Sequence, residues 1–217
     1  MRAVLRFVFF HFYHSFAWTY DLVAAVVSLG RWQAWGLAAV PHLLGRRILE
    51  LGFGPGHLQV ELHQQGFLAL GLDESQQMIR QAVGNLARNR FQPRLTRGLA
   101  QTMPFAAESF DSVLAVFPTE YIIDAKTLGE IRRVLRAGGR LVVVPMAWPT
   151  GTTWPERLAD GLFRITGQRE DLTEDYSERI SAGFRAAGFR VDLRLERQPR
   201  SVAMVVVAEK FCVCESE

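Results

Sequence analysis

The chain has 217 residues, 49% of them hydrophobic and 22% charged, and a net charge of only +3. That balance supports one domain with a real core and a few appended elements, and it excludes an intrinsically disordered chain. All but two of the 25 basic residues are arginines, Lys126 and Lys210 being the exceptions. The arginines are scattered, not gathered in a block, which argues against a nucleic-acid-binding surface.

The N-terminal stretch "MRAVLRFVFFHFYHSFAWTY" opens with arginines and continues apolar, as a signal peptide does, yet it carries His11 and His14, is rich in aromatics and lacks a small-residue cleavage site. Phe7 to Tyr20 is uncharged for 14 residues, short of the roughly 18 to 20 needed to span a bilayer. It reads as an amphipathic or buried helix, with three roles open: resting on a membrane surface, covering a site, or packing on the core.

From residue 46 two kinds of segment alternate. "RILELG", "LALGLD", "SVLAVF" and "LVVVPM" read as buried strands, and "QPRLTRG" as a weaker one. "HLQVELHQQ", "ESQQMIRQAVGNLARN" and "KTLGEIRRVLRA" read as helices, the last ending at Gly138-Gly139 as a C-cap. This order predicts a parallel α/β sheet with helices on both faces. "RVDLRLER" and "SVAMVVVAEK" are separated only by a turn around Pro199, which requires an antiparallel pair. Cys212 and Cys214 cannot complete a zinc site and would form a strained bridge, so they read as free thiols of a reducing cytosol. No metal site is expected.

"ILELGFGPGHLQ" is the most informative segment. A glycine-rich turn after the first strand lets a ligand approach the backbone, and the helix starting near His57 turns N–H groups toward it. The spacing is E-x-G-x-G-x-G over Glu50, Gly52, Gly54 and Gly56. His57 stands where the dinucleotide pattern G-x-G-x-x-G needs its third glycine. An acid at the strand end is poor company for a pyrophosphate and suits an ammonium group. Asp73, ending the second strand, can accept hydrogen bonds from both hydroxyls of a ribose. A cationic amino acid joined to a ribose describes S-adenosyl-L-methionine (SAM).

"ILELGFGPGHLQ", "LGLDESQQMI", "TMPFAAESFDSVLAV" and "GEIRRVLRAGGRLVVV" together resemble class I SAM-dependent methyltransferases, and most nearly the ubiquinone/menaquinone-biosynthesis C-methyltransferase type, over residues 46 to 145. The N-terminal "AWTYDLVAAVVSLGRWQAW" resembles the segment before the core in those enzymes. The resemblance implies a Rossmann-like seven-stranded, mostly parallel sheet with an antiparallel C-terminal hairpin. It implies a helical cap over residues 1–45, a SAM-binding domain over 46–217, and a substrate-side lid insertion at 146–188. It implies that Glu50, Gly52, Phe53, Gly54, Pro55 and Gly56 hold the methionyl part, that Asp73 takes the ribose with Glu74 and Met78 beside the adenosine, that Phe117 lines the cofactor site and that Tyr20 helps close it. The product would be S-adenosyl-L-homocysteine.

One departure stands out. In "RGLAQTMPF" Leu99 occupies the place where the family often has an acidic or amide side chain that contacts adenine. Recognition there would rest on backbone groups of Leu99, Ala100 and Gln101 and on apolar packing, at a cost of about 1 kcal/mol.

Methyl transfer from an activated sulfonium needs an aligned nucleophile and exclusion of water, and for an aromatic carbon or phenol a base helps. Glu120, Tyr121, His14 and His11 are the candidate bases; each also has a plain structural reading, and no base is assigned. Trp18, Trp32 and Trp35 read as lid core. The apolar N-terminus and the pattern Leu158, Leu162, Phe163, Ile165 would rim the site, which suits a quinol or lipid acceptor as well as ordinary packing around a small soluble one. Three alternatives remain: a nicotinamide oxidoreductase, a non-catalytic SAM binder, and a membrane-surface binding module. The expected setting is the cytoplasm, with membrane contact through the N-terminal helix open.

Overall fold

A computed structural model describes residues 32–150 and 170–211, with side chains of 170–176 excluded. Seven strands form one sheet in the order β3-β2-β1-β4-β5-β7-β6. In chain order these are β1 (Arg47–Leu51), β2 (Leu68–Asp73), β3 (Leu95–Arg97), β4 (Phe110–Val116), β5 (Leu135–Pro149), β6 (Phe189–Gln198) and β7 (Ser201–Lys210). The first five pair in parallel, and β7 runs antiparallel between β5 and β6. The β6–β7 turn is Pro199-Arg200, flanked by the pair Gln198 and Ser201, with Arg200 at φ 62°. The expected mostly parallel sheet with an antiparallel C-terminal hairpin is what the chain forms.

The described helices are α1 (Trp32–Leu37), α2 (His57–Gln64), α3 (Gln76–Arg88), α4 (Ala125–Val134) and α5 (Glu170–Ala186). Alternation along the strands sorts them onto two faces. Ile48, Leu114, Val142 and Val205 point to one side and meet Trp35 of α1 and Leu58 and Leu62 of α2. Leu49, Val113, Leu141 and Val206 point to the other and meet Leu128 and Ile131 of α4 and Ile180 and Phe184 of α5. Central β4 is buried on both faces, which is why it reads as a continuous apolar run. The edge strand β6 carries Arg190, Asp192, Arg194 and Glu196, charges that discourage pairing with another chain.

One expectation needs correction. The helix over "KTLGEIRRVLRA" stops at Val134; Leu135 is already extended (ψ 134°) and pairs with Phe110. Gly138-Gly139 is therefore no helix cap. It sits in a bulge where pairing jumps from Phe110–Leu135 to Ser112–Arg140. The bulge lets Arg136 approach Asp111 at 3.3 Å, where Asp111 also accepts from the Arg46 and Arg47 amides at 2.8 and 2.9 Å. The span 146–188, expected to hold a substrate-side lid, is described only at its two ends. Met146–Pro149 remain in β5, paired with β7, and the α5 end is fully buried at Ile180 and Phe184. Both ends of that span are core, and residues 151–169, with Leu158, Leu162, Phe163 and Ile165, lie outside the described residues.

Of the expected cap, residues 32–45 are described. Trp35 and Ala39 are buried, and His42 bridges to β6, its Nε2 2.8 Å from Glu196 and its Nδ1 3.2 Å from Arg194. This end of the cap is part of the core. His11, His14, Trp18, Tyr20, Cys212 and Cys214 lie outside the described residues. Among the described residues no helix is long and apolar enough to cross a membrane.

Candidate functional site

The parallel strand order reverses between β1 and β4, and a ligand crevice belongs at the carboxyl ends of the strands beside that point. Three chain segments leave the sheet there: the glycine loop after Leu51, Asp73 with Glu74 and Ser75 after β2, and Phe117 onward after β4. They enclose two hollows. The larger, about 340 Å³, is lined by Leu72, Asp73, Met78, Leu99, Phe117 and Tyr121 among others. The smaller, about 60 Å³, is lined by Trp32, Gly36, Glu50, Pro55 and His57 among others. Gly52, Gly54 and Val116 line both, so the two meet across the glycine loop.

The loop is held from several sides. Gly52 N–H donates to Leu72 O at 2.8 Å, fixing the turn to β2. At φ +65° Gly52 has a backbone that L residues rarely adopt, and a Cβ there would lie 3.1 Å from the Tyr121 hydroxyl. Gly54 N–H donates to Asp73 Oδ2 at 3.0 Å. Asn85 of α3 donates to the Pro55 carbonyl at 2.7 Å. Gly56 serves packing: at φ +83°, a Cβ would meet Ala82 Cβ at 2.7 Å, so its absence lets α2 and α3 close together.

Glu50 is 3% exposed and accepts one strong hydrogen bond, from Gln59 Nε2 at 2.6 Å. Burial pushes its carboxyl pKa to about 8, with the Gln59 bond opposing and the nearby Asp73 charge adding to the rise. Gln59 Oε1 is buried with no hydrogen-bond partner. Two acceptors short of donors thus sit together next to the smaller hollow. Asp73 has a different setting: Ser75 N–H donates to its Oδ1 at 2.8 Å and Gly54 N–H to its Oδ2. Burial raises its pKa although these two bonds lower it. Each oxygen keeps acceptor capacity for a hydroxyl.

These groups fit SAM. The unmatched acceptors at Glu50 suit an ammonium, Asp73 suits a ribose, and Leu72, Met78 and Leu99 give an apolar slot for a flat base. Comparison with known proteins bears on the same residues. Residues 49–143 match the family model described as a methyltransferase domain. Residues 49–143 are by that match a methyltransferase domain, and the chain has the fold of SAM-dependent methyltransferases.

A demethylmenaquinone methyltransferase of Mycobacterium sp. (strain KMS) is 36% identical over 154 residues, covering 67% of this chain and 64% of that protein. The ubiquinone/menaquinone biosynthesis C-methyltransferase UbiE of Geobacter sulfurreducens is 27% identical over 215 residues, covering 88% and 84%. This chain spans just under two thirds of the length of the first curated relatives it matches. Among solved structures, a SAM-dependent methyltransferase from Thermotoga maritima superposes with TM-score 0.60 at 20% identity, covering 92% of this chain and 98% of that one. The [4+2]-cyclase SpnF gives TM-score 0.63 at 17% identity, covering 91% and 95%. The structural likeness shows the fold of the methyltransferase domain, and SpnF shows that this fold hosts other chemistry.

The domain brings together most of the residues singled out from sequence. Gly52, Gly54, Asp73, Glu74, Met78, Leu99, Ala100, Gln101, Phe117 and Tyr121 line the larger hollow, and Glu50, Phe53 and Pro55 line the smaller. Phe53 is largely buried, its ring against Gly71. Glu120 is exposed on the 3₁₀ turn Glu120–Ile123, outside the lining of both hollows. Leu99 is 50% exposed at the pocket wall, and its carbonyl accepts from Thr102 N–H at 3.1 Å.

Sequence reading missed several supporting residues. Gln59, the partner of Glu50, looks like any polar residue of an amphipathic helix. Asn85 gives no local sign that it reaches Pro55 thirty residues away. Ser75 was readable: it stands just before a helical pattern and caps α3 by accepting from Met78 N–H at 3.3 Å. Trp32 parts company with Trp35. Trp35 is core, as expected, whereas Trp32 is half-buried and lines the smaller hollow.

Proposed function

We propose that the protein transfers a methyl group from SAM to a small apolar acceptor of the quinol type. The observation that carries this reading is the pair of hollows joined across Gly52 and Gly54, with buried Glu50 at one end and Asp73 at the other. When bound, SAM supplies a methyl group already activated by a positively charged sulfur. Glu50 accepts the ligand ammonium and is held in place by Gln59. Asp73, oriented by the amides of Gly54 and Ser75, accepts the ribose hydroxyls. Leu72, Met78 and Leu99 enclose the base, and backbone groups of Leu99 to Gln101 read its edge. Gly52 lets the backbone come close, so reacting groups can be aligned and water kept out.

Among the candidate bases Tyr121 lines the larger hollow, with its hydroxyl 3.5 Å from Leu51 O. We assign it to hold the acceptor's proton, and we leave Glu120 to solvent. The quinol assignment draws on the names of the relatives. It fits the apolar N-terminal stretch, which we place against a membrane surface in a cytoplasmic protein. Flotation with anionic vesicles, lost on replacing Phe9, Phe10 and Phe12 by serine, checks that placement.

The test is transfer of labelled methyl from SAM to reduced demethylmenaquinone in detergent, with the Asp73→Ala protein as control. Label in the lipid fraction is expected. Asp73→Ala should weaken SAM binding tenfold or more, about 1.4 kcal/mol. Label that appears only when an aqueous extract is supplied would replace the quinol by a soluble acceptor. Intact SAM binding with no transfer to any fraction would make the protein a binder.

A further inference from the structure

Two aromatic rings lie where the hollows meet. Trp32, from α1, lines the smaller hollow, and Phe117, just past β4, lines the larger. Their centroids are 4.1 Å apart with planes 35° from parallel. The buried Trp35 backs Phe117 edge-on at 6.1 Å. Phe117 has φ +49°, a left-handed backbone that a bulky residue adopts only when its surroundings impose it, and such strain gathers at functional sites. Phe117 N–H donates to Val144 O at 2.7 Å, so β5 holds the residue in that conformation.

The charges around this junction are unevenly placed. The groups that line both hollows, Gly52, Gly54 and Val116, carry none. Glu50 is the acid on one side and Asp73, with Glu74 next to it, lies on the other, and Glu50 and Asp73 are matched to other parts of the ligand above. Resting on that reading of the site, SAM brings a second positive charge, on sulfur, between its amino-acid and ribose ends. Its product lacks that charge and is otherwise the same molecule less a methyl group. The face of an aromatic ring attracts a cation, tryptophan most strongly, and more so away from water.

We propose that Trp32 and Phe117 form a stacked aromatic wall, one outer face of which receives the sulfonium with the second ring behind it, and that this makes the site prefer SAM over S-adenosyl-L-homocysteine. The wall is a specificity device: it adds affinity for the charged cofactor and little for the spent one, which favours product release.

The experiment is calorimetric titration of the wild-type chain and of Trp32→Leu, Phe117→Leu and Trp32→Phe with each of the two ligands separately. The leucine variants should weaken SAM binding threefold or more and S-adenosyl-L-homocysteine binding less than twofold. Trp32→Phe, which keeps a π face, should restore most of the preference and guards against loss through misfolding. Equal weakening for both ligands, or an unchanged ratio, overturns the wall while leaving the cofactor reading intact. A wild-type chain that binds neither ligand overturns the cofactor reading, and the wall with it.

Discussion

A carboxylate sealed in an apolar setting costs stability when it ionises. Glu50 carries that cost in the ligand-free chain, because its carboxyl holds a proton up to about pH 8 against an ordinary value of 4.5. Between those values the folded protein keeps a proton that the unfolded chain has released, so stability falls as pH rises through that window. Chemical denaturation of the ligand-free protein from pH 5 to 8 should show this decline, and Glu50→Gln should flatten it. A cationic ligand reverses the preference, since an ammonium favours the carboxylate. SAM affinity should therefore tighten toward pH 8 in the wild type, with a proton released on binding, and should lose that trend in Glu50→Gln. A stability profile identical in the two proteins would mean that folding does not raise the proton affinity of Glu50. That position 50 holds an acid, poor company for a pyrophosphate, was legible from sequence. Its protonation was not, because that depends on Gln59 and on the walls that remove water.

The glycine loop works as part of a strand–turn–helix element and not as a free tether. Gly52 lines both hollows and Gly56 serves the packing of α2 on α3, though both belong to one spaced motif. Gly56→Ala places a methyl group against Ala82 on a left-handed backbone, at an expected cost of about 2 kcal/mol or more. Urea unfolding should show a lower midpoint with an unchanged slope. A second element positions the other wall of the site. On α4, Arg133 and Glu130 form a paired bridge, with Nε to Oε1 at 2.6 Å and Nη2 to Oε2 at 2.8 Å. Glu130 accepts from Met103 N–H at 2.7 Å, and Arg133 donates to the carbonyls of Phe105 and Met103 at 2.7 and 3.0 Å. This clamp fixes the segment following Leu99 to Gln101. Its Glu130 carboxyl is held below the usual range, first by the Arg133 hydrogen bonds. The four-residue periodicity of α4 announced a helix with a charged face. It could not say that this face would grip a loop about thirty residues earlier in the chain. The misplaced end of α4 has the same origin: a Gly-Gly pair suits a helix cap, and the competing claim, Arg136 reaching Asp111 across the sheet, is tertiary.

At the scale of the molecule, two cores on opposite faces of one sheet make a rigid base, and the site is assembled from three loops on top of it. Ligand binding then reads out as stabilisation of the whole domain. SAM at a hundred times its dissociation constant should add about 2.7 kcal/mol, raising the melting temperature by roughly 5 to 10 °C for a domain of this size. Asp73→Ala at the same concentration should show about half that shift or less, by differential scanning fluorimetry. No shift in the wild type would count against SAM as the ligand.

The sheet, its antiparallel hairpin and the location of the glycine loop could be read from the sequence, because these follow from local pattern: the period of apolar residues, the length of a turn, the glycines that permit a left-handed backbone. The sequence also set Glu50 and Asp73 apart as the two acids on which the proposed cofactor reading rests. Tertiary structure alone decided which aromatic of α1 meets the site and which fills the core. It decided that Phe117 is held in a strained backbone by β5, that Gln59 and Asn85 brace the loop, and that Tyr121 and not Glu120 lines the hollow. The reason is common to all of these. Each depends on side chains brought together from distant parts of the chain, and no local propensity records a contact whose partner lies across the sheet.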